Sequence, residues 1–252
     1  MKSNNLDAFL GRISRKELCL GTCITMSDST GSELAAEAGF DFTWIDMEHS
    51  PLTIRNVMHH VNALRGTKCA PLVRVQWNEW GVIKPVLDLA PAGVIIPMVN
   101  TAEAAVAAVA SCRYPAAGVR GWAPRRGIAY GAKSDRDYYR EAQSEPLILI
   151  QIEHIEAVGN IDEILAVPGL SGICVGPADL AASMGRVPDV EAPEVVEKLD
   201  LIAGKTKEAG LLLGAFSVNI PVWKKRGADY LAVCGDYSAL FAQYKTLIDG
   251  AL

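Results

Sequence analysis

The sequence has six cysteines in 252 residues, and no two of them are spaced as a C-x-x-C pair. Such pairs are typical of zinc sites and redox-active dithiols, and a dense cysteine framework is typical of small secreted proteins. Here the cysteines are scattered, and several lie within apolar runs. We therefore expect buried free thiols in a reducing compartment, with neither a disulfide framework nor a zinc site.

Three further features are missing. The first residues lack the apolar segment of a secretory signal peptide, and no apolar run is long enough to cross a membrane. There is no long basic block, and the formal net charge is −5, which argues against nucleic acid as the main partner. These absences predict a cytoplasmic protein that acts neither on a membrane nor on nucleic acid.

The sequence does contain eight short apolar runs that alternate regularly with helical patterns. Most runs are continuous, as expected for parallel strands covered on both faces. The predicted strands cover residues 18–25, 42–46, 71–75, 93–98, 147–153, 172–176, 211–216 and 230–235. This alternation predicts an α/β fold, a single (β/α)8 TIM barrel over residues 1–252. A doubly wound open sheet is the alternative, but it usually needs fewer strands, and no G-x-G-x-x-G motif follows the first run.

Several helix ends can be recognised between the runs. "GSELAAEAG" ends at Gly39 and "TIRNVMHHVNALRG" ends at Gly66, both suitable residues to follow a helix, and "TAEAAVAAVASCR" begins with a threonine cap. His59 and His60 lie within a helical pattern and are expected to be structural. A C-terminal helix at 240–252, with Leu240, Phe241, Tyr244 and Leu247 on one face, is expected to pack on its own barrel or on a neighbour's.

One interval is irregular. Residues 113–135, between the fourth and fifth predicted strands, are rich in Gly, Pro, Arg and aromatic residues. A loop of this length in a compact domain is usually functional or disordered.

Catalytic residues of such barrels lie at the carboxyl ends of the strands, and polar side chains are concentrated there. They are Asp46, Glu48 and His49 after the second strand, Arg74 in the third, Gln151 and Glu153 in the fifth, Asp179 after the sixth, Ser217 and Asn219 after the seventh, and Asp236 after the eighth. This concentration on one rim favours a functional site over loops that reach the surface by chance.

Glu153 and Asp179 follow neighbouring strands, so their carboxylates are expected to point at one spot. Like charges that close repel each other unless a cation or a proton lies between them. Oxygen ligands alone suit a hard divalent ion such as Mg²⁺ or Mn²⁺. The alternative is that each carboxylate pairs with a basic residue or caps a helix, as Asp179 could do for the helix "LAASMG".

Three other features admit both a functional and a structural interpretation. Gly176 and Pro177 form a predicted turn before a helix whose first N–H groups favour a carboxylate, although strand–turn–helix units are common. Arg74 can stabilise an oxyanion or form a buried ion pair. His49 lies three residues after Asp46, which could orient it as a general acid/base, although lone histidines are more often structural.

Six segments carry a family likeness, in order, over nearly the whole chain: "GFDFTWIDMEHSP", "PLVRVQWNEW", "VIIPMVNTAEAA", "RYPAAGVRG", "LILIQIEHIEAVGNIDEIL" and "GICVGPADLAASMG". Together they resemble the metal-dependent (class II) pyruvate aldolases typified by 4-hydroxy-2-oxoheptanedioate aldolase. The motifs D-x-E-H, V-R, Q-I-E and G-P-A-D-L are weak singly and specific as a set.

The resemblance implies a modified (β/α)8 barrel whose last helix is exchanged between subunits of a homo-oligomer, commonly a hexamer built as a trimer of dimers. It also implies a set of site residues and a cofactor. These are Glu153 and Asp179 as ligands of Mg²⁺, Mn²⁺ or Co²⁺, the backbone amides of Ala178 and Asp179 for the pyruvate carboxylate, Arg74 and Gln151 near the keto oxygen and metal-bound water, and His49 with Asp46 as the acid/base dyad.

The implied reaction is the reversible cleavage of a 4-hydroxy-2-oxo acid to pyruvate and an aldehyde, in the catabolism of aromatic compounds. The metal and Arg74 would stabilise the pyruvate enolate, and His49 with Asp46 would take the proton of the 4-hydroxyl group. No lysine ends a predicted strand, so a Schiff base has little support. The alternatives are a related metal-enolate lyase, such as a 2-oxo acid decarboxylase or a carbon–carbon bond-forming synthase, and a catalytically silent barrel that binds a ligand or serves as a scaffold.

The chain departs from the family pattern after Arg120 and Gly121, where it reads "WAPRRGIAYG" and family members usually carry smaller residues. We expect Arg120 and Trp122 to contact the substrate. We also expect the larger side chains of this segment to reshape the aldehyde pocket in favour of an anionic or aromatic aldehyde; they are Trp122, Arg125, Arg126 and Tyr130.

Overall fold

Eight parallel strands close into a barrel in the computed structural model, which describes residues 4–251. Each strand pairs with the next, and β8 pairs with β1. The strands are β1 (Cys19–Ile24), β2 (Phe42–Asp46), β3 (Ala70–Arg74), β4 (Gly93–Ile96), β5 (Leu147–Ile152), β6 (Gly172–Val175), β7 (Leu212–Phe216) and β8 (Tyr230–Gly235). The predicted barrel is confirmed, and every strand overlaps its predicted run.

Twelve α-helices and one 3₁₀-helix, Ala129–Gly131, surround the strands within the described residues. The helices are α1 (Leu6–Ser14), α2 (Thr30–Glu37), α3 (Ile54–Ala63), α4 (Trp80–Leu87), α5 (Ala102–Cys112), α6 (Asp135–Glu141), α7 (Ile155–Gly159), α8 (Ile161–Leu165), α9 (Pro177–Ser183), α10 (Pro193–Glu208), α11 (Ile220–Lys225) and α12 (Asp236–Asp249). At least one helix follows every strand. None of the helices described here is long and apolar enough to cross a membrane.

The predicted helix ends can be compared with the structure. Gly39 directly follows the C-cap of α2 with a φ of 93°, as predicted, and the Thr101 side chain accepts a hydrogen bond from the Ala104 N–H at 3.2 Å, which confirms the cap of α5. Gly66 has a φ of 86° but lies two residues beyond the C-cap of α3. The C-terminal helix covers residues 236–249. Residues 1–3 and 252, which the predicted domain and the predicted helix 240–252 include, lie outside the described residues.

Apolar side chains fill both sides of the strand wall. Inside the barrel, the rings of Phe9, Phe42 and Tyr230 pack edge to face with centroids 5.7 to 6.0 Å apart, so that α1 closes the amino-terminal end. A larger cluster fills the space between the strands and the outer helices. All six cysteines are free and five are buried, as predicted. The carboxyl-terminal end of the barrel is therefore where polar side chains can meet.

Candidate active site

On several strands, the last side chains that point into the barrel are polar. Side chains alternate along a strand, so Asp46 points into the barrel after Phe42 and Trp44. By the same alternation Arg74 is the last inward-facing residue of β3, and Gln151 on β5 also points into the barrel. Three polar groups that are costly to bury thus meet at the carboxyl-terminal mouth, where each needs a partner.

A cavity of about 540 Å³ opens at this mouth. The residues of the predicted site that line it are Asp46, His49, Arg74, Gln151, Gly176, Pro177, Ala178 and Asp179. Apolar side chains that sequence reasoning did not select complete much of the wall, including Trp44, Val190, Phe216 and Val218. The structure therefore brings most of the predicted site together around one space.

Arg74 is buried at the centre of this group and forms ion pairs with two carboxylates. Its Nε and Nη2 donate to Asp46 Oδ1 and Oδ2 at 2.8 and 2.7 Å, a bidentate pair. Its Nη1 lies 2.8 Å from Glu48 Oε2 and donates to Gln151 Oε1 at 3.3 Å. Burial alone would lower the pKa of Arg74, but the hydrogen bonds and the charge of Asp46 raise it above its ordinary value. A fixed positive charge therefore stands at the mouth.

The structure places the Asp46 carboxylate beside Arg74 and not beside the imidazole of His49, its predicted partner in the dyad. Both Asp46 oxygens face Arg74, and Oδ1 also accepts from the backbone N–H groups of Glu48 and His49 at 3.0 and 3.4 Å. The His49 imidazole lies 3.9 Å from Glu48 Oε2 instead, and 61% of its side chain is exposed. Register explains the pairing of Asp46 with Arg74, because the two residues are direct partners between β2 and β3, whereas His49 lies in the turn after β2.

Glu48 is the residue to which sequence reasoning assigned no role. Its carboxylate lies between the guanidinium of Arg74 and the imidazole of His49. Burial raises the pKa of Glu48; the charges of Arg74 and His49 act against that shift, while those of Asp46 and Asp179 add to it. The D-x-E-H motif could have indicated a role for Glu48, because this glutamate lies between Asp46 and His49 in the sequence.

Glu153 lies directly behind the cavity wall, with 2% of its surface exposed. Its Oε1 accepts from the Met98 N–H at 2.8 Å and its Oε2 from Gln151 Nε2 at 2.5 Å. A Cβ atom at Gly176 would lie 2.5 Å from Oε2, so the missing side chain leaves room for the carboxylate. Burial raises the pKa of Glu153 to about 7, with the charges of Glu48 and Asp179 adding to the shift.

The donor set fits a hard divalent cation. Asp179 lies in the first turn of α9, whose N-cap is Gly176, so the alternative in which Asp179 caps this helix is wrong. Across residues 4–251 no three His, Cys, Asp or Glu side chains form a metal-binding group. Two carboxylates, those of Glu153 and Asp179, would leave the other positions of a hard divalent cation to water and substrate. Each carboxylate has about four lone-pair positions, so Glu153 can keep both hydrogen bonds and still bind a cation.

Arg120 and Trp122, which we expected to contact the substrate, do not line the cavity. Arg120 is 2% exposed and donates to the Leu87 carbonyl at 3.0 Å and to the Tyr138 hydroxyl at 3.3 Å. The Trp122 ring packs against Tyr114 with centroids 4.8 Å apart. Both side chains find their partners among the outer helices and the β4–β5 connection, so they hold that connection in place instead of reaching the mouth.

The other large side chains of the 113–135 interval also lie outside the cavity. Arg126 is buried and donates to the Asn62 side chain and to the Val61 carbonyl on α3. Arg125 and Tyr130 are exposed on the surface. We expected these residues to reshape the aldehyde pocket, but none of them lines the cavity that this chain forms.

Comparisons with known proteins agree with this geometry. Residues 25–225 match the family described as HpcH/HpaI aldolase/citrate lyase. The hydroxypyruvate/pyruvate aldolase of Roseobacter denitrificans is 34% identical over 250 residues, which cover 96% of each chain. The 4-hydroxy-2-oxo-heptane-1,7-dioate aldolase of Salmonella paratyphi C is 36% identical over 224 residues, 88% of this chain and 85% of that one. The crystal structure of an HpcH/HpaI aldolase from Desulfitobacterium hafniense, 28% identical, superposes with a TM-score of 0.90 and covers 96% of this chain and 95% of that one.

Proposed function

The chain belongs to the HpcH/HpaI aldolase/citrate lyase family and is an aldolase, a carbon–carbon lyase, and from this premise we propose its substrate, cofactor and site residues. The substrate is a 4-hydroxy-2-oxo acid, cleaved reversibly to pyruvate and an aldehyde, and the cofactor is a divalent cation. The relatives' names favour this reaction over a decarboxylase or a synthase.

One observation carries the proposal: a continuous hydrogen-bonded network at the mouth of the barrel. It runs from Asp46 through Arg74 and Gln151 to Glu153. The network fixes a positive charge and a carboxylate beside one cavity, and a negatively charged enolate needs both an electrostatic stabiliser and a place to bind.

We assign the carboxylate of the 2-oxo acid to the first turn of α9. The backbone N–H groups of Ala178 and Asp179 precede any partner within that helix, and both residues line the cavity. Gly176 and Pro177 set the turn that presents them. A carboxylate bound there lies beside the two acidic side chains, Glu153 and Asp179, that we assign as metal ligands.

Enolate stabilisation falls to Arg74 and the cofactor. A cation such as Mg²⁺, Mn²⁺ or Co²⁺, held by Glu153 and Asp179, supplies Lewis-acid polarisation of the 2-oxo group. Three of the five N–H donors of Arg74 are hydrogen-bonded, two to Asp46 and one to Gln151, and Nη1 also forms an ion pair with Glu48. We assign the remaining Nη2–H to the oxygen on which charge develops as the C3–C4 bond breaks.

Proton transfer at the 4-hydroxyl group is assigned to His49. Its exposed imidazole lines the cavity, where it can act directly or through water. Asp46 holds Arg74, and Glu48 is the carboxylate nearest to the imidazole. We therefore assign Glu48, in place of Asp46, as the partner of His49.

We propose that the enzyme is a homo-oligomer that exchanges its last helix between subunits, in a hexamer of three dimers. Helix α12 supports this proposal because it has no buried residue within its own chain. Its exposed apolar side chains are Tyr237, Leu240, Phe241, Tyr244, Leu247 and Ile248. An exposed apolar surface of this extent marks an interaction site.

We also propose that the whole chain acts as one barrel domain in the cytoplasm, in the catabolism of aromatic compounds. Its free cysteines, five of them buried, support a reducing compartment. The role in aromatic catabolism follows from the family likeness alone.

The test is an assay of pyruvate release from a panel of 4-hydroxy-2-oxo acids, with oxaloacetate decarboxylation measured beside it. We expect EDTA to abolish cleavage, Mg²⁺, Mn²⁺ or Co²⁺ to restore it, and Glu153→Gln to remain inactive with every metal. Glu156→Gln, an exposed glutamate on α7, is the matched control and should keep wild-type activity. Undiminished cleavage after complete metal removal would contradict the proposal.

A further inference from the structure

Met98 has an unusual backbone conformation two residues after β4. Its φ is 53°, in the left-handed region that residues other than glycine seldom adopt. Six non-glycine residues of the described chain share a positive φ: Asn5, Lys16, Ala90, Met98, Ala129 and Tyr130. Such strain persists only where the surrounding structure holds it in place.

The N–H group of Met98 differs from its counterparts in what it binds. The N–H groups of Lys16, Ala90, Ala129 and Tyr130 each donate to a backbone carbonyl three or five residues earlier, which closes a local turn. The Met98 N–H instead donates at 2.8 Å to Glu153 Oε1, on a residue 55 positions away. The left-handed conformation of Met98 therefore serves a long-range bond to a charged group.

The neighbouring strands explain how this contact arises. Ile96, the last residue of β4, is the register partner of Ile150 on β5. Glu153 follows three residues after Ile150, and Met98 follows two residues after Ile96. Pro97 between them has a fixed φ and no N–H to donate, so the donor that reaches Glu153 is the N–H of Met98.

We infer that Met98 is a positioning residue for Glu153. The left-handed backbone of Met98 holds the Glu153 carboxylate in the orientation that binds the cation. The inference rests on the proposed function, because it takes Glu153 as a metal ligand. The second donor to this carboxylate, Gln151 Nε2, is on a side chain that can rotate, whereas a backbone N–H cannot move without the chain. Bonds that orient metal ligands typically affect metal affinity by about 10- to 100-fold.

The test is the affinity for Mn²⁺ alone, measured from the free Mn²⁺ signal in electron paramagnetic resonance. Met98→Val should raise the dissociation constant by about 10-fold or more, because a β-branched residue opposes a positive φ. Met98→Gly and Met98→Asn, which accept that φ, should bind within about 2-fold of wild type. Met98→Thr, also β-branched, replaces Met98→Val if that variant does not fold.

Ala90→Val is the matched control. Ala90 has a φ of 52°, and its N–H donates to the Leu87 carbonyl at 3.0 Å instead of to a carboxylate. We expect this variant to melt at a lower temperature, as Met98→Val should, but to keep the wild-type dissociation constant for Mn²⁺.

The outcomes separate this inference from the proposed function. If the wild-type enzyme binds Mn²⁺ and a folded Met98→Val binds it equally well, the inference is wrong and the proposed function stands. If Met98→Gly loses as much affinity as Met98→Val, the side chain and not the backbone matters, and the inference is again wrong. If the wild-type enzyme does not bind Mn²⁺, both fail.

Discussion

At the scale of single residues, the site is organised around the charge of Arg74. Asp46 accepts two hydrogen bonds from it and Gln151 accepts one, Glu48 forms an ion pair with it, and the centroid of the Trp44 ring lies 5.2 Å from the guanidinium carbon. This arrangement fixes the guanidinium plane before any substrate binds. Such preorganisation is what allows a charge to stabilise a developing oxyanion without a reorganisation cost.

Replacing Arg74 by lysine keeps the positive charge but removes the planar guanidinium group and its several N–H donors. Lysine cannot bind Asp46 in the bidentate manner or hold Glu48 and Gln151 at the same time. We expect Arg74→Lys to lower kcat for aldol cleavage by roughly 100- to 1,000-fold, the range typical for loss of an oxyanion-stabilising donor. Steady-state kinetics of pyruvate release measure this effect.

Arg226→Lys provides the control for that variant. Arg226 Nε donates to Asp200 at 2.7 Å and its guanidinium carbon lies 4.9 Å from the Trp223 ring, so it makes a similar ion pair and ring contact away from the mouth of the barrel. We expect its kcat to stay close to that of wild type. Equal losses in the two variants would show that Arg74 matters only for packing.

The sequence supplied most site residues but not their pairing. Asp46, Arg74, Gln151 and Asp179 could be recognised as polar groups at the ends of apolar strands. That the Asp46 carboxylate pairs with Arg74 and not with the imidazole of His49 depends on the register of β2 against β3, which no local pattern encodes. The hydrogen bond from Met98 to Glu153 and the space that Gly176 leaves for the Glu153 carboxylate involve the ends of three neighbouring strands, so they could not be predicted for the same reason.

At the scale of elements, the strands were predictable and the long connection was not. Parallel strands buried on both faces leave continuous apolar runs, which is a strong local signal. The connection after β4 is held by long-range bonds of buried arginines, such as Arg120 to Leu87 and Arg126 to Val61. Its composition suggested a functional loop, but those bonds carry its large side chains toward the outer helices.

His60 links three elements behind the site. Its Nδ1 lies 2.9 Å from the Ser32 hydroxyl on α2, and its Nε2 lies 3.0 Å from the Met26 carbonyl after β1. A carbonyl only accepts, so Nε2 carries the proton and Nδ1 accepts from Ser32. Burial lowers the pKa of His60, although the bond to Met26 acts in the opposite direction. The expected structural role of this residue agrees with these contacts.

His60→Ala should reduce the free energy of unfolding by roughly 2 kcal/mol, because it removes both hydrogen bonds of a buried side chain. It should also weaken the pH dependence of stability. The folded pKa lies below the ordinary value of 6.5, so the unfolded chain binds a proton more readily and wild type loses stability as the pH falls below that value. Urea unfolding above and below that pH measures both effects.

His59→Ala, which removes the exposed neighbour on the same helix, should unfold as wild type does at each pH. The explanation fails if His60→Ala keeps the full wild-type pH dependence.

At the scale of the whole molecule, the last helix, α12, buries none of its side chains within its own chain. Phe241 and Leu247 on α12 are 69% and 61% exposed. If a second subunit covers this face, Phe241→Glu combined with Leu247→Glu should dissociate the oligomer, because burying a charge in an apolar interface is costly. Sedimentation velocity measures the change in mass.

Leu201→Glu changes an apolar residue of α10 that is 39% exposed, and it should leave the mass unchanged. A wild-type mass for the α12 double variant would contradict the helix exchange.

We propose above all that two acidic side chains at this mouth, Glu153 and Asp179, bind one divalent cation together with a small keto acid. The most direct test is a crystal structure with Mn²⁺ and pyruvate, read from the anomalous signal of manganese. We expect a single manganese peak bonded to both carboxylates, with pyruvate on the same ion and its carboxylate at the start of α9. Carboxylates that face apart, with no peak between them at saturating Mn²⁺, would contradict it.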